Sequence, residues 1–552
     1  MRLISSSTLM IEDFLGSAVP PYAILSHTWD EEEISYQDML RGYTGKKGFR
    51  KIEKTCKQAV SDGLEYVWVD TCCIDKSSSA ELSESINSMF QWYKDSRVCY
   101  VYLSDLSTMA GITTSLGTCR WNRRGWTLQE LIAPRRVEFF DHEWNFRGSK
   151  QNLLGVLSSV SGIDESVLAH KTLLSTVSVA AKMSWAARRE TTRPEDIAYC
   201  LLGIFDINMP LLYGEGAKSF IRLQEEIIKI NGDLSISVWT GMPGKGIQNA
   251  QRYSGILAEY PSQFKGCSQM TQATAQWVQS DFSVTNRGIR IPTSILRLPG
   301  VGGSRYHHVL ALDCQARGET NFTFGIYLRN CGANLFVRDH PDRLATIPLN
   351  PGPTFRPRPI YIMAKLPAEL YCVEDNPNPL DEVQFIIRHR VSAVQIILPP
   401  ILTIYNVHPA SHYDNQDMTV FSTERFHDGW CVFTMRGEID IDVEQRLEVD
   451  CLFACWGWNS DPKFFVCTLV DTSNIDLAVL SRFMSEASQE QNSSQPWLFE
   501  GMEDHGIPLQ GSVILWGDGN LTKTVKLTHM VRKIFQPYLC NSEMYRVEFF
   551  FC

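Results

Sequence analysis

The strongest constraint on the fold of this chain is an alternation between Tyr22 and Trp144. Strand-like runs, "YAILSHTW" (Tyr22–Trp29), "YVWVDTCCID" (Tyr66–Asp75), "VCYVYLSDL" (Val98–Leu106) and "RVEFFDHEW" (Arg136–Trp144), are separated by helical ones. The helical runs are Phe49–Gly63, Ala80–Ser96 and, roughly, Trp121–Ala133. In the first, Ile52, Cys56, Ala59 and Val60 recur at helical spacing and Gly63 suits a C-cap. Strands rich in Val, Tyr and Ile that alternate with helices predict a parallel sheet with helical crossovers.

Such sheets take ligands in the crevice beyond the carboxyl ends of their strands. Every strand predicted here ends in polar residues: His27, Trp29 and Asp30; Asp70 and Asp75; Ser104 and Asp105; Asp141, His142 and Glu143. The last helix reads "RGWTLQELIAP", and Pro134 stops it. On a helical wheel Leu128, Leu131 and Ile132 form an apolar stripe, and Trp126 and Glu130 share a face nearly opposite it. A carboxylate there can support an oxocarbenium-like centre or orient ribose hydroxyls, with the indole as a wall that raises its pKa. The plainer alternative is a solvated glutamate, with Trp126 covered by a loop or another domain.

Arg120, Arg123, Arg124, Arg135 and Arg136 bracket this helix. They suit phosphates, which arginine binds bidentately, or ordinary pairing with the acidic strand ends. His27 and Trp29 fit contacts to a base or ribose, though a histidine at a strand end is commonly structural. The acids Asp30–Glu33 read as a cation site or, better, as a helix N-terminal turn. Asp70 and Asp75 suit ribose hydroxyls or loop capping. Cys72 and Cys73 read as strand residues on opposite faces, not as a redox pair.

Residues 151–235 read as a helical extension, and residues 236–552 as a β-rich region of many short strands punctuated by Gly, Pro, Asn and Asp. That texture predicts a sandwich- or barrel-like domain. "YGEGAKSF" (Tyr213–Phe220) lacks the spacing of a phosphate loop and reads as a turn into a helix. The 16 cysteines form no four-ligand zinc pattern, so no metal site is expected. The formal charge of −10 argues against broad nucleic-acid binding. The first residues carry acids and no long apolar run, and no run is long enough to span a membrane. A cytoplasmic protein with free thiols is expected.

"YAILSHTW", "YVWVDTCCIDK" and "RRGWTLQELIAPRRVEFFD" resemble, in order, the three signature blocks of the fungal HET (heterokaryon incompatibility) domain, over about Tyr22–Phe146. "PEDIAYCLLGIFDINMPLLYGEGAKSFIRLQEEI" is similar to a segment that often follows it. The resemblance implies an α/β fold distantly like that of TIR domains, which is flavodoxin-like. It also implies a role in cell death when unlike hyphae fuse. Enzymatic TIR domains cleave NAD at the nicotinamide–ribose bond with a glutamate in a pattern that Trp126, Glu130 and Leu131 resemble. By that resemblance Glu130 is the expected catalytic residue, NAD is a substrate and not a cofactor, and His27, Trp29, Asp70, Asp75, Arg123, Arg124 and Trp126 are the expected substrate contacts. The alternative is a non-enzymatic signalling module that self-associates or meets an incompatibility partner, regulated by the C-terminal β region.

Overall fold

The computed structural model describes residues 1–366, apart from 15–18, 43–44, 242–252, 273–282, 294, 300–305, 320, 333–334 and 349–357, and beyond 366 the backbone of separate strands. The chain divides into two compact units, Met1–Arg329 with Val337–Lys365, and Asn330–Phe336 with Leu366–Cys552.

The first unit opens with a seven-stranded mixed sheet. Its strands are β1 (Arg2–Ser5), β2 (Ile11–Asp13), β3 (Tyr22–His27), β4 (Tyr66–Trp68), β5 (Val98–Tyr102), β6 (Val137–Phe140) and β7 (Phe146–Ser149), in the order β2-β1-β4-β3-β5-β6-β7. The four central strands are parallel, and β1, β2 and β7 are antiparallel additions at the edges. Because β3 pairs with β4 on one side and β5 on the other, the strand order reverses between β3 and β5. That position is where doubly wound sheets open a ligand crevice.

Six short helices accompany the sheet: α1 (Tyr36–Leu40), α2 (Phe49–Ser61), α3 (Ser79–Asp95), α4 (Ile112–Ser115), α5 (Arg120–Arg123) and α6 (Thr127–Ile132). α2 and α3 cover opposite faces. The Tyr100 hydroxyl, next to Leu25 in register, reaches Asp62 at the end of α2, while Trp68 packs edge-on against Trp92 and Tyr93 of α3. A sheet covered twice needs strands without a polar face, and every residue of β3 is buried. α2 ends as its sequence predicts, with Gly63 at φ +74.

Three expectations need correction. The run Tyr66–Asp75 is a strand only to Trp68. Cys72 and Cys73 lie in the turns that follow, where the Cys73 N–H donates to the Val69 carbonyl (2.8 Å). The helix expected over Trp121–Ala133 is broken into α5 and α6. At the break Arg124 is extended and bridges Glu190, whose N–H donates to the Arg123 carbonyl (2.7 Å) and whose carbonyl accepts from Gly125 (2.9 Å). Gly125 is needed there, since a Cβ would stand 2.6 Å from Thr191 Cγ2. The fourth run ends at Phe140, and the chain turns back as β7.

The stretch 154–230 is a series of short helices joined by turns, with Lys218–Ile230 the longest element. β-structure follows. Nine described strands between Tyr253 and Ile362 form one antiparallel sheet, and the second unit contains a five- and a four-stranded sheet. The described sheets are open, not closed into a barrel. Among the described residues no helix is long and apolar enough to cross a membrane, and the eight described cysteines are buried and unpaired.

Candidate functional site

Successive strand residues face opposite sides of a sheet, so Ser26 and His27, at the end of β3, build two different environments. On the Ser26 side the hydroxyl accepts from Trp121 Nε1 (2.7 Å) and donates to Glu130 Oε2. The indole N–H thereby fixes which way the hydroxyl proton points. Trp121 is held edge-on against Phe139 of β6. Glu130 is only 7% exposed. Burial pushes its carboxyl up to about 7, Ser26 pulls against that, Asp70 adds to it, and Arg124 and Tyr93 oppose it. The result is a carboxyl that changes charge near neutrality in the core of the domain.

The wheel of α6 does not separate a core face from an exposed one, because Thr127–Ile132 are all buried. The helix lies between the sheet and the helical segment that follows it in the chain. Arg189 from that segment donates to Thr127 Oγ1 and to the Arg124 carbonyl, each at 2.9 Å. Trp126 precedes α6 and turns to Asp196 (Nε1 to Oδ2, 3.4 Å), so Trp126 and Glu130 have different partners.

On the other side, His27 is 4% exposed and neither ring nitrogen has a hydrogen-bond partner. Its Nε2 lies 3.8 Å from Glu33 Oε2 and 3.9 Å from Asp70 Oδ1, two buried oxygens that are also unpartnered. Burial, with Lys51, pushes the imidazole down to about 3, so it is neutral at physiological pH. The second oxygens of both acids are engaged: Lys51 Nζ donates to Glu33 Oε1, and Trp29 Nε1 donates to Asp70 Oδ2 (2.8 Å). Burial opposes ionisation of Asp70, but His27, Lys76 and Arg124 outweigh it and the carboxyl stays below its usual range. The Trp29 ring carries Lys76 Nζ (3.6 Å to the centroid) and the Arg124 guanidinium (4.7 Å).

Beyond this cluster lies a cleft of about 770 Å³. Trp29 and Tyr102 line it, as do five cations, Lys47, Arg50, Lys51, Lys54 and Arg120, against two acids, Asp30 and Glu31. Glu130 does not line it.

The structure thus brings His27, Trp29, Asp70 and Arg124 together, with Glu130 across the strand. Asp75 lies in the turn before α3, where its Oδ1 accepts from Ser77 N (3.0 Å) and Oγ (2.6 Å). Arg123 is exposed on α5. The acids Asp30, Glu32 and Glu33 meet Arg120, Lys47 and Lys51, and the N-cap of α1 is Ser35. The cations of α2 escaped sequence reasoning. Their signal is the spacing of Arg50, Lys51 and Lys54, which puts these three on one face of α2, with Lys47 just before its N-cap Gly48. Among the described residues no group of three or more His, Cys, Asp or Glu is placed to hold a metal ion.

Residues 22–115 match the family described as Heterokaryon incompatibility protein (HET). The chain is 48% identical over 235 residues to the Vegetative incompatibility protein HET-E-1 of Podospora anserina. That alignment covers 41% of this chain, which spans 17% of the length of that relative. No solved structure matches. The family match includes strands and helices of the N-terminal α/β region.

Proposed function

We propose that the N-terminal α/β region is a HET domain and the effector of a vegetative-incompatibility response, killing cells after fusion of unlike hyphae by hydrolysing NAD at the nicotinamide–ribose bond. The incompatibility role draws on the family match and on the relative's name. The chemical reading draws on one observation above all: a glutamate buried at a doubly wound sheet and hydrogen-bonded to Ser26, whose carboxyl burial raises to about 7 against the pull of that bond. The order of the parallel strands, β4-β3-β5-β6, supports a flavodoxin-like and hence TIR-like reading of the fold.

In the proposed reaction the C1′–N1 bond breaks and its electron pair leaves with nicotinamide. Positive charge develops on the ribose, and ionised Glu130 stabilises it. Water adds to C1′ and releases a proton, leaving ADP-ribose. His27, Trp29, Asp70 and Arg124 are the proposed substrate contacts. The cytoplasm is the proposed location, and the β-rich region after residue 235 is proposed as the regulator that answers an incompatibility partner. Incubating the full chain with NAD tests the reading. Wild type releases nicotinamide and Glu130→Gln does not; equal release by both rejects it.

The burial of Glu130 favours a second reading, in which the carboxyl is structural and the domain kills by self-association. In that case Glu130→Gln still kills when expressed in hyphae.

A further inference from the structure

The cations on α2 break a rule that helices normally keep. The first turn of a helix favours acids, because the macrodipole is positive there. α2 has no acid in its first turn and carries Arg50 and Lys51 instead. Along α2, Arg50 and Lys51 stand four and three residues before Lys54, a spacing that places like charges next to one another and is itself destabilising, and Lys47 adds a cation just before the helix. Desolvation and the nearby Arg50 charge both push the Lys54 ammonium below its ordinary range. Local conflicts of this kind are expected where function outweighs stability.

The conflict has a place. All four cations and Arg120 line the cleft of about 770 Å³, and Lys51 does so although its side chain is only 7% exposed. The volume falls in the range of small-molecule sites and exceeds what a single phosphate needs. Tyr102 and Trp29, at and just beyond the ends of β5 and β3, place the cleft at the reversal of strand order. Gly48 keeps the opening of α2 close to the acid loop, since a Cβ there would meet the Glu32 carbonyl at 2.9 Å. Two lining residues, Lys51 and Trp29, are tied to Glu33 and Asp70, whose remaining oxygens and the His27 ring are buried without partners. Buried polar atoms are nearly always paired; the spare ones behind this wall are two carboxylate oxygens and the imidazole, which suit the hydroxyls of a sugar and not a phosphate.

We infer that the cleft is a diphosphate site, in which the α2 cations and Arg120 hold the two phosphates of a nucleoside diphosphate or dinucleotide and the aromatic rim takes the sugar or base. The inference rests on the proposed function only for naming NAD as the dinucleotide, and it holds whether or not Glu130 cleaves anything.

Calorimetric titration of the full chain with ADP and with inorganic pyrophosphate tests it. Wild type binds both, and raising the salt weakens both. The doubly substituted Arg50→Gln/Lys54→Gln protein, altered at the exposed Arg50 and at the half-buried Lys54, whose Nζ donates to the Glu143 carbonyl, binds each about tenfold more weakly or worse. Tighter binding of ADP than of pyrophosphate identifies a nucleotide as the occupant; equal binding identifies the diphosphate group alone, and both support a diphosphate site. No binding of either probe, or unchanged binding by the double variant with an unchanged melting temperature, overturns it. Glu130→Gln binds ADP as wild type does. Loss of nicotinamide release without loss of ADP binding therefore separates the cleavage reading from this one.

Discussion

The two sides of β3 differ in kind, although Ser26 and His27 are consecutive. Ser26 faces a closed environment in which one acid, one hydroxyl and one indole N–H satisfy each other. His27 faces an open-ended one, where buried polar atoms lack partners and the neighbouring cleft is lined by excess positive charge. Arg124 acts on both, favouring the ionised form of Glu130 and disfavouring protonated His27. A closed side, on which Glu130, Ser26 and Trp121 are paired with one another, is suited to holding a carboxyl at a chosen pKa. An open, underpaired side is suited to receiving something.

Substitutions sharpen that contrast. The closed side is backed by α3, where Phe90 touches Gly203; a Cβ at Gly203 would lie 2.0 Å from Phe90 Cβ. Gly203→Ala is therefore expected to destabilise by about 3 kcal/mol or more, read from urea midpoints. An intact midpoint would show that the packing behind Glu130 is loose.

The pH dependence of stability should have opposite signs on the two sides. Glu130 is raised from 4.5 to about 7 on folding. Its contribution is fully present below pH 4.5 and is lost as pH rises through 7. Its total is roughly 3 kcal/mol at one pKa unit per 1.36 kcal/mol. Glu130→Gln should flatten that fall, gaining on wild type between pH 5 and pH 8. His27 is lowered from 6.5 to about 3, so its contribution is present above pH 6.5 and disappears on acidification toward 3. His27→Gln should flatten the acid limb instead. Equal pH profiles for both variants and wild type would erase the proposed difference.

Ser26→Ala removes the acceptor of the Trp121 N–H and the donor to Glu130. A loss of about 2 kcal/mol is expected, together with a further upward shift of the Glu130 pKa, visible as a displaced pH–activity midpoint. Smallest is the effect of Arg50→Gln/Lys54→Gln on stability. It should be neutral or a gain of a few tenths of a kcal/mol from relieved repulsion, while ligand binding falls. A marked loss of stability would mean that these cations hold the fold and not a ligand.

Much of the fold was legible in the sequence. The parallel strands at Tyr22, Tyr66, Val98 and Val137, the helices α2 and α3, the helical stretch after residue 150 and the later β-structure all follow from periodicity and punctuation. The hairpin β1–β2 and strand β7 escaped because three or four residues are too few for a period of two to show. The break before α6 is tertiary in origin, set by pairing with Glu190, and local sequence carries no sign of it beyond Gly125. For the same reason the wheel misjudged Trp126 and Glu130: a segment some sixty residues later covers the face that α6 alone would expose. His27, Trp29 and Asp70 drew attention as polar residues at strand ends, and Glu130 as a carboxylate on the helix before Pro134. The α2 cations were not, since a charged helix face ordinarily means solvent.

The central claim is that Glu130 does chemistry and does not merely fill the core. The direct measurement is nicotinamide release by the full chain across pH 5 to 9, set beside hyphal killing by the same proteins. Release is expected to rise through about pH 7 as Glu130 ionises, and Glu130→Gln is expected to lose both release and killing while retaining ADP binding. Killing that persists in Glu130→Gln, or release that does not depend on the carboxyl, would contradict it.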